Sequence, residues 1–344
     1  MSQPDDRLIP RYHELLLRLA GWAPDDLISD ARGRLAEGRV SEVARSLLGA
    51  VVSGRLPIRA EDAELLVLTL PDVPEVAALA TAVPALEPGA HPAFEFAPLL
   101  PNRDEPLPMV LDLTNSQDLD AIDRAVLAAL DQVPGAIALW RAWRSPQPDR
   151  IAAGPVRVYL LESDGDAAGL PGVAAWLQQA LAAAGVEDPQ AEVFSPGADL
   201  PGYQRLARGR SALLWTAGKG APMTIARVFD SYDPVLGGQF TAEHPLIGAG
   251  DELDRVLAYL DAGTVLLATT AQEPDIFDDG AGPVVPASFR TDGTWIWTDA
   301  VPYYLRTYAL SPDEDLLAHI RSLSYRPPVV DAVTEHRALA ALVG

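Results

Sequence analysis

The chain lacks cysteine, is nearly devoid of lysine and has no long apolar run, and each absence removes a class of function. Without cysteine there is no disulfide, no thiolate metal site and no cysteine nucleophile, as expected for a protein of the reducing cytoplasm. No window approaches the ~18 apolar residues of a membrane span. The N-terminal stretch MSQPDDRLIPRYHELLLRLAG has no basic segment followed by an apolar signal core, so a cytoplasmic location is the expectation. Lys219 is the only lysine among 26 basic residues, and with the abundant Ala and Pro this reads as a GC-rich bacterial coding bias.

Sequence motifs of familiar enzymes are missing as well. There is no GxGxxG for a dinucleotide and no GxSxG nucleophile elbow. TAGKGAP around Lys219 looks superficially like a phosphate loop, but Gly220 stands where the magnesium-binding Ser or Thr belongs. The five histidines are scattered without HxH or HExxH spacing. No catalytic residue, metal ligand or cofactor is therefore assigned, and the reading leans away from an enzyme.

What is present is acidity. The net charge of −22 opposes approach to nucleic acid or an anionic membrane, and leaves a protein partner, a basic one by charge complementarity, as the favoured class. Between residues 251 and 315 lie 13 Asp and Glu against three Arg. The plain reading of that excess is a solvated surface with capping carboxylates; the functional one is an acidic docking face.

Apolar spacing organises the chain. Tyr12, Leu15, Leu16 and Leu19 recur at helical intervals, and similar patterns make 1–70 a helical region. Nine prolines in 71–108 predict a connector, with Phe94 and Phe96 packing part of it down on a neighbour. From 109 to 344 extended and helical patterns alternate: 156–162, 191–195, 211–217 and 224–231 read as strands, 173–185 as a helix, and AIALWRAW as either. Ser116 is expected to cap the helix that follows it. The expected fold is thus α/β or α+β, a helical bundle followed by a mixed sheet flanked by helices, with a strand–helix–helix segment near the C-terminus.

That segment, Thr291 to Arg321, carries the densest local signals. Asp292 and Gly293 predict a turn, Trp295 and Trp297 share one face of a strand, and Asp299 is placed to cap a helix bearing Tyr303 and Tyr304. Ser311, Pro312 and Glu314 read as the capping box of the next helix. The residues proposed to meet a partner are Asp275, Asp278, Asp279, Trp295, Trp297 and Tyr303. For the tryptophan pair, core packing against the Tyr303 and Tyr304 helix is the simpler reading. An alternative places an α/β enzyme or ligand-binding site in strand-end loops near Asp164, Asp166 and Lys219, where turn geometry explains the same residues.

RVLAYLDAGTVLLATT and VVPASFRTDGTWIWTDAVPYYLRTYALSPDEDLLAHI, in the C-terminal third, resemble a segment of uncharacterised actinobacterial proteins, some of them in toxin and immunity neighbourhoods. The TDGTWIW and YYL elements carry the resemblance, which brings no catalytic motif with it. It implies a partner-binding or regulatory role, such as an immunity or adaptor factor.

Overall fold

The computed structural model describes residues 3–54, 56–79, 86, 90, 92–100, 106–117, 119–146, 154–278 and 280–343. It is an α/β protein divided into two compact units, Met1–Gly218 and Lys219–Gly344. This division differs from the expected boundaries at 70 and 108, and the reason lies in the first unit.

That unit begins with helices α1 (Gln3–Leu19), α2 (Asp25–Ala36), α3 (Val40–Val52) and α4 (Ala60–Thr69). Tyr12, Leu15, Leu16 and Leu19 are fully buried together with Ile28, Leu35, Val43, Leu47 and Leu66, as their spacing predicts. Gly38, at φ +74°, ends α2 in a backbone conformation that a side chain disfavours. The proline-rich stretch is more than a connector. It holds a short 3₁₀ helix, Pro74–Ala78, and strand β1 (Phe94–Ala97), whose Phe94 and Phe96 pack edge-on against Tyr203.

The sheet consists of β1, β2 (Leu111–Asp112), β3 (Ala136–Pro146), β4 (Val156–Ser163), β5 (Gln190–Phe194) and β6 (Ala212–Thr216). Its order is β2-β6-β3-β4-β5, with β1 paired to β3. β3 runs antiparallel to β1, β4 and β6, while β2–β6 and β4–β5 are parallel, so the sheet is mixed as expected. AIALWRAW, ambiguous by pattern, is strand because it lies in the sheet interior with neighbours on both sides. Helices α5 (Ala121–Leu130) and α6 (Leu170–Ala183) bury Val126, Leu130, Ala174, Leu177 and Leu181 on Leu139, Tyr159, Leu161 and Val193. Asp120, not Ser116, caps α5 by accepting from the Ile122 and Asp123 amides. A further helix, α7 (Gly202–Arg208), precedes β6.

The N-terminal helices are bound to this sheet by buried polar contacts. His13 Nε2 donates to the Val193 carbonyl at 2.8 Å, Arg32 pairs with Glu192 at 2.5 Å, and Arg144 of β3 pairs with Asp25 of α2. Gln204 of α7 donates to both the Leu17 carbonyl and Glu192. A buried charge separated from its partner is costly, so these pairs tie 1–70 into the same unit as the sheet.

The second unit has strands β7 (Thr224–Ile225), β8 (Ser231–Asp233), β9 (Gly237–Gln239), β10 (Thr264–Leu267), β11 (Gln272–Pro274), β12 (Pro283–Pro286), β13 (Phe289–Thr291) and β14 (Trp295–Thr298). Its helices are α8 (Asp251–Ala262), α9 (Ala300–Tyr308), α10 (Glu314–Ser322) and α11 (Ala332–Val343). The sheet order is β10-β13-β14-β7; β8–β9 and β11–β12 form separate hairpins. The expected strand 224–231 is cut short after Ile225, because the Arg227 amide turns to the Asp313 carboxylate.

Candidate functional site

The turn after β13 shows why its residues are those they are. Gly293 takes φ +91°, and Asp292 Oδ1 accepts from the Thr294 and Trp295 amides, each at 2.8 Å. Asp292 Oδ2 accepts from the Tyr259 hydroxyl of α8 at 2.5 Å and from His319 Nε2 of α10 at 2.8 Å. The carboxylate is buried and four donors converge on it, so it fastens two helices to one turn. Burial first, and then that carboxylate, push the Tyr259 hydroxyl pKa far up.

Trp295 and Trp297 belong to the core. Trp297 is fully buried and Trp295 nearly so, packed with Val256, Leu260, Val301, Leu305, Leu316 and Ile320. They are not a partner-binding surface. As expected, they pack against the helix that bears Tyr303 and Tyr304, meeting Val301 and Leu305 of α9, while Tyr304 and Tyr303 themselves join a second cluster. Gly263 permits the packing, since a Cβ there would stand 2.3 Å from the Trp297 ring. Two expected caps also shift. Asp299 gives its carboxylate to Arg290 at 2.7 Å while Thr298 Oγ1 accepts the Ala300 amide, and Asp313, not Ser311, caps α10.

Asp275 is no free surface acid. It is 2% exposed and accepts from the Tyr303 and Tyr308 hydroxyls, at 2.8 and 2.6 Å, and from the Phe277 amide at 2.9 Å. Burial pushes its pKa up, but the Tyr308, Phe277 and Tyr303 hydrogen bonds outweigh this and hold it below the ordinary carboxylate value. Two of the residues proposed to meet a partner, Asp275 and Tyr303, are thus joined to each other in a bond within the fold. Asp278 is exposed and accepts the Gly280 amide; Asp279 lies outside the described residues.

Around Asp275 the rings gather. Phe240 lies 5.3 Å from Phe229, 5.2 Å from Tyr304 and 5.8 Å from Phe277, centroid to centroid, and Phe277 also meets Tyr308 at 4.8 Å. Phe229 and Phe240 flank the β8–β9 hairpin, so the hairpin rises from this aromatic base. A Cβ at Gly238 would collide with the Phe229 ring at 2.1 Å, which explains one glycine of the pair. At the hairpin's tip Asp233 Oδ1 accepts the Val235 and Leu236 amides, at 2.7 and 2.9 Å, and Gly237 takes φ +79°. The turn is held firmly, yet its side chains face water: Val235 is 90% exposed and Leu236 72%, and Tyr232 of β8 is 74% exposed.

These three residues, with half-exposed Phe277, are what reading the sequence missed. The signal was SYDPVLGGQF, in which Val-Leu stands between the turn-forming pairs Asp-Pro and Gly-Gly, where polar residues are usual. The charge around them follows the expectation. Lys219–Gly344 carries eight basic residues against 18 acidic ones.

Of the alternative residues, Asp164 and Asp166 belong to Met1–Gly218 and Lys219 to Lys219–Gly344. Asp164, Asp166 and Lys219 are exposed, and none makes a side-chain hydrogen bond or ion pair among the described residues. Asp164 shapes a turn: its amide bonds the Gly135 carbonyl, and its carboxylate occupies the space a Cβ of Gly135 would need. Among the described residues no group of three or more His, Asp or Glu is placed to hold a metal, and no helix is long and apolar enough to cross a membrane. Comparison with protein-family models, with curated proteins and with solved structures finds no match to this chain.

Proposed function

We propose that this is a non-enzymatic protein that binds another protein, an immunity or adaptor factor, through the acidic aromatic face of Lys219–Gly344. The observation that carries the reading is the hairpin tip. Large apolar side chains exposed singly are ordinary, but Val235 and Leu236 on a turn held by Asp233, with Tyr232 beside them on β8, form a preorganised knob that loses little entropy on docking. The partner it fits has an apolar pocket rimmed by basic side chains, since the knob stands on a unit whose net charge is strongly negative. The resemblance of the TDGTWIW segment to proteins of toxin and immunity neighbourhoods supports the same class. Asp278 and the other exposed carboxylates serve the rim; Trp295 and Trp297, buried in the core, take no part in it.

The test is affinity purification from the native host with wild type, a Val235→Ser/Leu236→Ser double variant and an Asp278→Lys variant. Wild type should retain a partner that the double variant loses by at least about tenfold, and that Asp278→Lys and high salt weaken. Identical captures by wild type and the double variant would rule the hairpin out.

A further inference from the structure

A second feature, independent of the hairpin, lies in Met1–Gly218. A cavity of about 450 Å³ opens among α1, the start of α4 and α7. Three guanidinium groups line it: Arg18 from α1, Arg59 just before α4, and Arg205 from α7. Leu17, Trp22 and Leu200 supply an apolar wall. Glu14 and Asp199 line it too, so three arginines face two carboxylates, against 18 arginines and 30 acidic residues in the whole unit.

The cations are positioned, and not all are neutralised. Buried Asp62 holds Arg18 through Nη2 at 2.6 Å, and Glu14 stands 4.0 Å from Nη1. Arg59 leans on exposed Glu61 at 3.4 Å. Arg205 donates only to the Leu200 carbonyl at 3.2 Å, and has no carboxylate within ion-pair distance among the described residues. Asp199 also lines the cavity but pairs with none of the three. Guanidinium groups recognise carboxylate and phosphate oxygens through paired N–H bonds, and a cavity of this size suits a small molecule whose body rests on apolar walls.

We propose that this cavity binds a small organic oxyanion, a phosphate monoester or a carboxylate carried on an apolar or aromatic body. Arg205 supplies the free charge, Arg18 a fixed donor, and the Trp22 side the apolar seat. Calorimetric titration of the full chain with phenyl phosphate, benzoate and neutral benzyl alcohol tests it. The two anions distinguish phosphate from carboxylate as the preferred head group. At least one should bind saturably, about tenfold or more tighter than the alcohol, and Arg205→Gln should weaken it by about tenfold or more, the worth of a charge-assisted bond. Arg205→Gln loses no ion pair and should fold as wild type does, which its thermal transition checks. Failure of both anions to bind below about 10 mM, equal binding of the alcohol, or undiminished binding in Arg205→Gln overturns the proposal.

Discussion

His13 is 3% exposed and spends its one N–H on the Val193 carbonyl, so water cannot solvate an imidazolium there. Burial first, and then the nearby Arg32 charge, lower its pKa to about 4, with the carbonyl bond opposing them. The unfolded chain binds that proton near pH 6.5. The stability linked to neutral His13 is therefore complete above pH 6.5 and is lost as the pH falls toward 4, by about 3 kcal/mol over the window. Denaturant unfolding of wild type and His13→Gln from pH 7 to 4.5 should show wild type losing more stability than the variant; parallel curves would mean that the ring is hydrated. Neither this role nor the burial of Asp275 could be read from the chain. A carboxylate's place is decided by partners such as Tyr303 and Tyr308, 28 and 33 residues away, and local pattern carries no trace of them.

At the level of elements, two glycines that look alike in sequence differ in consequence. Gly33 lies inside α2 with open space where a Cβ would go, so Gly33→Ala should stabilise the fold by about 0.5–1 kcal/mol through helix propensity alone. Gly263 faces the fully buried Trp297 ring, which has nowhere to move, so Gly263→Ala should cost about 1–3 kcal/mol. Chemical denaturation of the two variants reads both signs at once. Element type was largely legible, because apolar spacing in α1, α3, β4 and α6 is strong and the partner surface is on the matching face. Ends were less so. Ser116, Asp299 and Ser311 were each displaced as caps by a neighbour, since several residues in a row could cap and tertiary bonds chose among them. Strand order, the fusion of the first helices with the sheet and the exposed hairpin tip depend on long-range contacts that periodicity does not encode.

For the whole molecule the charge and the division into units matter together. A net charge of −22 makes copies of the chain repel one another at low salt, which favours solubility while the hairpin tip stays exposed. In sequence, the boundary between the two units falls in an exposed stretch without regular structure, and Lys219 lies in it. Exposed, irregular backbone is where proteases enter. A lysine-specific endoprotease should cut the native protein once, giving fragments 1–219 and 220–344 by mass spectrometry; an intact chain would mean that the stretch is held down. The same solitary lysine makes this protein unusually simple to label. An amine-reactive dye has one side-chain address, placed by the chain itself at the sequence boundary of its two units, so a single fluorophore reports there without any residue being engineered.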